Sequence, residues 1–245
     1  MKDALVFEGR RYWIVGASEG LGRALAQALD AQGARLLLSA RNGERLAEVA
    51  AGLRDAECLP VDVTDAASVA ALAGRIGQID GIIYSVGLYE PMRAQGWSTD
   101  AAVAMAEANF IGALRVLGLC LPGFIAQDRG HVVLIGSLAG YRGLPGAIGY
   151  GAGKAGLMHL AETLDADLHR TGVRVQMVNP GFIATRLTAK NDFAMPQIMT
   201  PEAAAAAVLA AMRSRRFATS FPRPFAWLFR AAPMLPRRLY LRLFA

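Results

Sequence analysis

The sequence contains few of the residues that build disulfide frameworks and metal centres. Among its 245 residues there are two cysteines and three widely spaced histidines. Two isolated cysteines, Cys58 and Cys120, make neither a disulfide framework nor a metal site, so we expect no bound metal. This cysteine usage is typical of a protein in the reducing cytoplasm.

Long apolar segments are also scarce. The apolar stretch before Glu8 is too short for a secretory signal. The alanine-rich segment Ala203 to Met212 has only ten residues, whereas a membrane-spanning helix needs about 18 or more. We therefore expect neither a secretory signal nor a spanning helix.

Apolar runs alternate with amphipathic segments along a chain that is 54% hydrophobic. This composition supports one substantial core, and no linker or repeat divides the chain. We predict an α/β fold, a single-domain Rossmann-like doubly wound parallel sheet with helices on both faces; a closed barrel is the weaker alternative. Residues 1–212 are assigned to this domain and residues 213–245 to a C-terminal tail. The clearest predicted helices cover 46–53, 67–76, 100–127 and 156–169, and the clearest later strands cover 82–85, 131–137 and 173–179.

A glycine-rich turn follows the first predicted strand. Tyr12-Trp-Ile-Val15 is a short apolar run, and it leads through Gly16, Gly20 and Gly22 into an amphipathic helix. Glycines let the backbone turn tightly and come close to a pyrophosphate, which the unpaired amides and the positive dipole end of the helix attract. Such turns also serve ordinary connections, but a strand before and a helix after this one favour a nucleotide.

Tyr150 and Lys154 are four residues apart, and Ser137 lies thirteen residues before the tyrosine. On a helix, residues four apart share one face. A phenol with an ordinary pKa near 10 is a poor acid or base unless a nearby cation favours the phenolate, and Lys154 is expected to supply that cation. Ser137, after the apolar run from His131, is positioned to hold a substrate oxygen. The set predicts proton transfer to or from a carbonyl oxygen.

Together these residues resemble the short-chain dehydrogenase/reductase family, and the resemblance extends to about Met212. The family's glycine pattern falls on Gly16, Gly20 and Gly22. Its catalytic residues fall on Asn109, Ser137, Tyr150 and Lys154. The resemblance implies hydride transfer between a nicotinamide and a carbonyl or alcohol carbon, with Tyr150 as acid and base and Asn109 holding water in a proton relay to Lys154. The cofactor contacts that it implies are Gly16, Ser18, Gly20, Leu21, Gly22, Arg41, Asp62, Val63, Ser85, Gly87, Tyr150, Lys154, Pro180, Gly181, Ile183 and Thr185.

One segment departs from the family pattern. Where the family has Asn-Asn-Ala-Gly after the fourth strand, this chain has Tyr84-Ser85-Val86-Gly87. The glycine is kept and both asparagines are replaced. The side-chain hydrogen bonds that brace this region in the family must therefore be replaced as well, in part by Ser85.

The choice of cofactor is predicted from charge after the second strand. An acid there would bind a free ribose 2′-hydroxyl, but none occurs before Glu44, and Arg41 offers a guanidinium to a 2′-phosphate instead. Ser18 adds a hydroxyl. Glu19 opposes this prediction, because a carboxylate repels a phosphate. We expect NADP(H) rather than NAD(H).

The C-terminal tail is basic and aromatic. Residues 213–245 contain eight arginines and no acid or lysine, so their side-chain charge of +8 exceeds the total of +6 and leaves about −2 for the rest. A basic tail on such a core does not predict nucleic-acid binding. Leucines at 235, 239 and 243 indicate an amphipathic helix, which either lies on an anionic membrane or, as is common in the family, covers the substrate cleft or a subunit interface. We expect a cytoplasmic homodimer or homotetramer, and the first alternative would place it at the inner face of a membrane.

The substrate is expected to be apolar. The loop after Thr185 carries Phe193, Met195, Ile198 and Met199, and Tyr89, Met92 and Trp97 are further candidates for the cleft. An acyl or other lipid-like carbonyl is the favoured substrate, with a 3-oxoacyl thioester as a specific variant. The alternatives are a non-catalytic nucleotide-binding sensor and a membrane-surface interaction protein on the same fold.

Overall fold

The computed structural model describes residues 6–244, without the side chain of Phe244. Seven parallel strands form one sheet in the order β3-β2-β1-β4-β5-β6-β7. The strands are β1 Arg11–Val15, β2 Arg35–Ser39, β3 Ala56–Cys58, β4 Gly81–Tyr84, β5 Gly130–Ile135, β6 Val173–Pro180 and β7 Ala218–Phe221. The helices are α1 Gly20–Asp30, α2 Gly43–Ala51, α3 Ala66–Ala70, α4 Thr99–Ala106, α5 Gly112–Ala126, α6 Ile148–Leu168, α7 Pro201–Arg213, α8 Phe225–Ala231 and α9 Arg237–Phe244.

The central strands are buried on both faces, as the continuous apolar runs of a parallel sheet require. Helices α1, α2 and α7 pack on one face and enclose one hydrophobic core. Helices α3, α5 and α6 enclose a second core on the other face. The predicted doubly wound sheet is therefore confirmed. The barrel alternative is wrong, because β3 and β7 are the two open edges of the sheet.

Several predicted boundaries change. Helix α3 ends at Ala70 rather than at residue 76. Helix α6 begins at Ile148 rather than at residue 156, so Tyr150 and Lys154 lie in its first two turns. Strand β7 was not predicted, and it pairs with β6 from Ala218 to Phe221. The C-terminal tail proper is therefore residues 222–244, which come after this strand. The predicted absence of a secretory signal rests partly on residues 1–5, outside the described residues.

One segment has the length and hydropathy of a membrane-spanning helix, which the count of apolar runs did not find. Helix α4, a π-helical turn at Glu107–Ile111 and helix α5 form one continuous stretch, Thr99–Ala126, that is long and apolar enough to cross a membrane, with a mean hydropathy of 1.6 in its most apolar window. Counting uninterrupted apolar runs misses it because Asp100, Glu107 and Arg115 break the runs. In that window 44% of residues are buried in the domain, and the inner face of α5 belongs to the second core. We interpret it as a core helix.

Candidate active site

A large cavity opens at the carboxyl ends of the strands. It has a volume of about 920 Å³ and is lined by the loops after the first six strands, β1 to β6. The strand order reverses between β1 and β4, and ligands of open parallel sheets bind at such a point. Predicted residues that line the cavity are Gly16, Ser18, Gly20, Leu21, Gly22, Arg41, Asp62, Val63, Ser85, Gly87, Ser137, Tyr150, Lys154, Pro180, Gly181, Ile183 and Thr185.

Lys154 lies on the cavity side of α6 and is 3% exposed. Its ammonium donates hydrogen bonds to the carbonyl oxygens of Val86, at 3.0 Å, and Ile135, at 2.9 Å. The nitrogen lies 5.9 Å from the centre of the Tyr150 ring. Burial lowers the pKa of Lys154 to about 7. The two groups are neighbours on one face of the helix, as predicted from their spacing.

The electrostatic outcome at Tyr150 differs from the prediction. Burial raises the pKa of Tyr150 above its ordinary value, a hydrogen bond with the Ser137 side chain opposes that rise, and Tyr89 adds to it. The Tyr89 ring contacts the Tyr150 ring edge-on, with centroids 5.3 Å apart. Lys154 does not dominate because it is itself desolvated and its hydrogen bonds go to backbone carbonyls. Burial therefore favours the phenol over the phenolate at this position.

Ser137 follows β5 by two residues and caps a short 3-10 turn, Leu138–Gly140. Its hydroxyl oxygen accepts a hydrogen bond from the backbone amide of Ala139 at 3.1 Å. That contact fixes the oxygen and leaves its hydrogen to donate. The side chain is 9% exposed and lines the same cavity as Tyr150. This arrangement suits a group that positions a substrate oxygen beside the phenol.

Asn109 is placed differently from the expectation. It is fully buried in the π-helical turn and, among the predicted site residues, it alone is missing from the lining of the cavity. Its side-chain oxygen accepts from the Leu88 amide at 3.1 Å, and its side-chain nitrogen donates to the Leu88 carbonyl at 2.8 Å. The side chain therefore braces the loop after β4. The water-holding role predicted for Asn109 remains a prediction.

Tyr84 performs a role that the sequence analysis did not assign. Its side chain is fully buried, and its hydroxyl donates to the carbonyl of Ala108 at 2.6 Å, across from β4 to the π-helical turn. Together with the Asn109 contacts, this bond braces the region where the family pattern has asparagines. A tyrosine that ends a buried strand must find a partner for its hydroxyl, and that requirement was the available signal.

The glycine turn fits a nucleotide cofactor. A side chain at Gly22 would place its Cβ 1.9 Å from the Gly16 carbonyl oxygen, so α1 can approach the turn this closely only through glycine. Gly20 has φ +53°, in the left-handed region. Glu19 at the N-cap position makes no side-chain capping bond to α1. The first amides of α1 therefore face the cavity without a side-chain acceptor, which suits a pyrophosphate.

Glu19 is masked by two arginines. Its carboxylate pairs with Arg186, at 2.8 Å, and with Arg45, at 3.4 Å. With Arg41 these residues line the cavity and carry a side-chain charge of 3 − 1 = +2, or +1 when Asp62 is included. The repulsion expected from Glu19 is thus largely compensated. Burial acts to raise the pKa of Asp62, but hydrogen bonds from Thr64 and the Arg41 charge hold it below its usual value.

The other end of the cavity is apolar and aromatic. Phe182, Phe193, Phe225 and Phe229 all line it. Their rings contact one another in the order Phe193, Phe182, Phe225 and Phe229, with centroid separations of 4.9–5.9 Å. Of the predicted substrate-facing residues, Tyr89 and Phe193 line the cavity. The others lie outside this lining and pack elsewhere or face solvent: Met92, Trp97, Met195, Ile198 and Met199.

The C-terminal tail folds over this end of the cavity. Helix α8 buries Ala226 and Phe229 against Leu138. Arg142 donates to the carbonyls of Ala232 and Leu235. The Arg142 guanidinium also lies 4.0 Å from the centre of the Tyr240 ring. The tail therefore packs against its own domain, in agreement with the alternative that it covers the cleft.

Known proteins resemble the chain over nearly its whole length. A profile of the short chain dehydrogenase family matches residues 11–195. An uncharacterized oxidoreductase of Myxococcus xanthus is 35% identical over 239 residues, 93% of each protein. A short chain dehydrogenase from Burkholderia cenocepacia, solved in complex with NADP, superposes with a TM-score of 0.87 at 26% identity over 98% of this chain and 100% of that one. A putative betaketoacyl-ACP reductase superposes with a TM-score of 0.76 at 28% identity over 84% of this chain and 91% of that one.

Proposed function

The chain belongs to the short-chain dehydrogenase/reductase family and is an NAD(P)-dependent oxidoreductase, and from that premise we propose a specific reaction. The enzyme interconverts a carbonyl and a secondary alcohol on an apolar substrate, with Tyr150 as general acid and base. One observation carries the proposal: Ser137, Tyr150 and Lys154 share one cavity with the glycine turn. Nucleotide and substrate can therefore meet at the phenol.

Each polar residue of the site has its own part in the reaction. Ser137 donates a hydrogen bond to the substrate oxygen and holds it beside Tyr150. Tyr150 donates its proton to that oxygen during reduction and takes it back during oxidation. Lys154 keeps an ammonium next to the phenol and stabilises the phenolate when the proton has left. The nicotinamide cofactor, when bound, supplies or accepts the hydride.

NADP(H) is the proposed cofactor. The cluster of Arg41, Arg45 and Arg186 around Glu19 has an excess of positive charge, and Arg41 stands where an acid would otherwise select a free 2′-hydroxyl. The neighbour from Burkholderia cenocepacia was solved with NADP. We propose that Arg41 contacts the 2′-phosphate and that Arg186 and Arg45 neutralise Glu19.

The substrate is proposed to be an acyl or other lipid-like carbonyl compound, with a 3-oxoacyl thioester as a specific variant. The ring series from Phe182 to Phe229 supports an apolar chain beyond the reacting carbon. One structural neighbour carries the description of a putative betaketoacyl-ACP reductase. That description applies to the neighbour, and the aromatic wall is the reason to extend it to this chain.

Assembly and location are proposed on separate grounds. Helix α5 exposes Leu114 and Ile125, which supports a homodimer or homotetramer formed through this helix. We propose that residues 213–245 are an extension of one domain rather than a separate unit. The protein is proposed to act in the cytoplasm, at the inner face of a membrane through its tail.

The test is consumption of NADPH and NADH against ketones, aldehydes and 3-oxoacyl thioesters of increasing chain length. We expect turnover with NADPH to exceed turnover with NADH and to improve with chain length. Tyr150→Phe should abolish it with every substrate. Cofactor binding without turnover that depends on Tyr150 would instead support a sensor.

A further inference from the structure

The C-terminal tail presents an unusually apolar outer surface. Of the thirteen large hydrophobic side chains that are exposed within residues 6–244, six lie in the tail, with exposed fractions of 41–86%. Single exposed leucines are ordinary on protein surfaces, but a cluster in one short segment indicates a contact site. We call this cluster the tail surface. It consists of Trp227, Leu228, Met234, Leu239, Leu241 and Leu243.

Positive charge is interleaved with these side chains. The tail carries five exposed arginines and no acidic residue. In α9, Arg237, Arg238 and Arg242 are interspersed with the exposed leucines and are themselves exposed, so the solvent-facing side of this helix is both apolar and cationic. The five arginines are Arg223, Arg230, Arg237, Arg238 and Arg242.

The tail surface is exposed although the tail itself is anchored. Among the described side chains of α9, from Arg237 to Leu243, Tyr240 is the buried one. Its hydroxyl donates to the Gly143 carbonyl at 2.7 Å. In α8, Ala226 and Phe229 point inward while Trp227 and Leu228 point outward. The inward residues make the contacts that hold the tail on the domain. The outward residues therefore do not contribute to this packing and remain exposed to solvent.

We propose that the tail surface docks on a bilayer that contains anionic phospholipids. The proposal rests on the proposed membrane location of the enzyme and specifies the surface and the lipid class. Leucine and tryptophan side chains would enter the boundary between headgroups and acyl chains, and the arginines would lie among the phosphates. A bilayer surface satisfies both groups, because the acyl chains accept the leucines and the phosphates above them accept the arginines.

Charge argues against a second copy of the chain as the occupant. A two-fold symmetric contact places the same patch on both subunits. Through this surface it would bring arginines of one copy against arginines of the other, with no acidic residue of the tail to separate them. A nucleic acid would pair with the arginines but leave the leucines against phosphate or water.

Docking in this orientation would bring the bilayer close to the cavity. Helix α8 lines the cavity with Phe225 and Phe229 and carries Trp227 and Leu228 on its other side. One helix therefore separates the proposed membrane contact from the apolar end of the proposed substrate site. An apolar substrate dissolved in the bilayer would have a short path to the cavity.

Flotation of the full chain with lipid vesicles tests the proposal. Vesicles of phosphatidylcholine with phosphatidylglycerol should carry the protein upward, and vesicles of phosphatidylcholine alone should carry little. Arg237→Gln, Arg238→Gln and Arg242→Gln together should weaken partitioning by roughly fivefold for each arginine, about 100-fold in all. Leu239→Ser, Leu241→Ser and Leu243→Ser together should weaken it at least about tenfold.

A matched control removes the same number of positive charges at the amino ends of the strands, the side of the sheet opposite the cavity. The exposed residues Arg75, Arg129 and Arg170 precede β4, β5 and β6, and their replacement by glutamine should leave flotation unchanged. Circular dichroism and NADPH turnover with a water-soluble carbonyl substrate report folding and the reaction separately. If the unaltered protein did not float but still turned over NADPH, the membrane proposal would be refuted and the proposed reaction would stand.

Three other results would overturn the proposal. An equal loss of flotation in the control triple and in the tail arginine triple would mean that net charge, and not the tail surface, drives binding. Unchanged flotation of the leucine triple would mean that the arginines alone hold the protein on the vesicle, and it would overturn the claim that the leucines enter the bilayer. No flotation of the unaltered protein, together with a lower molar mass of the leucine triple by light scattering, would assign the surface to a second copy of the chain.

Discussion

The cofactor preference proposed from Arg41 can be tested by one substitution. Replacing Arg41 with glutamine removes the guanidinium that lines the cavity after β2 but keeps a polar, uncharged side chain. Because a free 2′-hydroxyl gains little from this cation, kcat/KM for NADPH should fall while kcat/KM for NADH should change little. The ratio of the two therefore isolates the 2′-phosphate contact.

The magnitude follows from the exposure of the site. Arg41 is exposed, so water screens it, and a unit charge pair at about 4 Å is worth between about 1 kcal/mol in water and about 4 kcal/mol near a protein surface. A hydrogen bond to a charged group contributes about 1.5–3 kcal/mol. At about 1.4 kcal/mol per tenfold, the loss is about 10- to 100-fold in kcat/KM for NADPH.

Glu19 provides a second perturbation in the opposite direction. Glu19→Gln changes the side-chain charge of the cluster from 3 − 1 = +2 to +3, so kcat/KM for NADPH should rise. The rise should be smaller than the Arg41 loss, since Arg186 and Arg45 already compensate Glu19.

Arg35→Gln is the control for both changes. Arg35 begins β2, the strand that Arg41 follows. It pairs with Asp55 at the amino ends of the strands, away from the cavity. Its substitution should leave both cofactors unaffected. Steady-state kinetics with each cofactor measures all three variants. If Arg41→Gln lowered kcat/KM equally for NADPH and NADH, or left both values unchanged, the assignment of the 2′-phosphate to Arg41 would be refuted.

Three further predictions concern folding and the buried polar groups. Tyr84→Phe leaves the Ala108 carbonyl without its side-chain donor and should lower the free energy of unfolding by about 1–3 kcal/mol in urea denaturation; no change would deny the brace. Gly22→Ala should abolish cofactor binding or folding because of the 1.9 Å approach, whereas Gly118→Ala, with open space around it, should be tolerated; equal behaviour in calorimetry would contradict this. Since burial lowers the pKa of Lys154 to about 7 from 10.5, the unfolded chain binds the proton more tightly, and stability relative to Lys154→Met should rise with pH between these values, by at most about 1.4 kcal/mol per pH unit; a flat or falling difference would count against the buried ammonium.

The local parts of the site could be predicted because short-range geometry controls them. Tyr150 and Lys154 share a face of α6 since four residues make about one helical turn. The glycine turn follows from its place between a strand and a helix. The position of the site follows from parallel topology, which brings the carboxyl ends of all the strands to the same side of the sheet. These features need no knowledge of side-chain packing.

The parts that could not be predicted depend on burial and on long-range partners. The direction of the Tyr150 pKa is set by how deeply the phenol and Lys154 are enclosed. Asn109 turns to Leu88, which precedes it by 21 residues. Glu19 meets Arg186 across 167 residues. No spacing rule reports such contacts, and the short strand β7 has too few residues for a clear pattern.

The central claim is that Tyr150 transfers the proton to and from the substrate oxygen. The most direct measurement compares Tyr150→Phe with the unaltered enzyme in two assays, NADPH affinity by fluorescence and single-turnover reduction of a carbonyl substrate. Because the substitution removes only the hydroxyl, we predict an NADPH dissociation constant within about threefold of the unaltered value and a reduction rate lower by about 10²- to 10⁴-fold. A variant that binds NADPH and still reduces the carbonyl at a comparable rate would contradict the account.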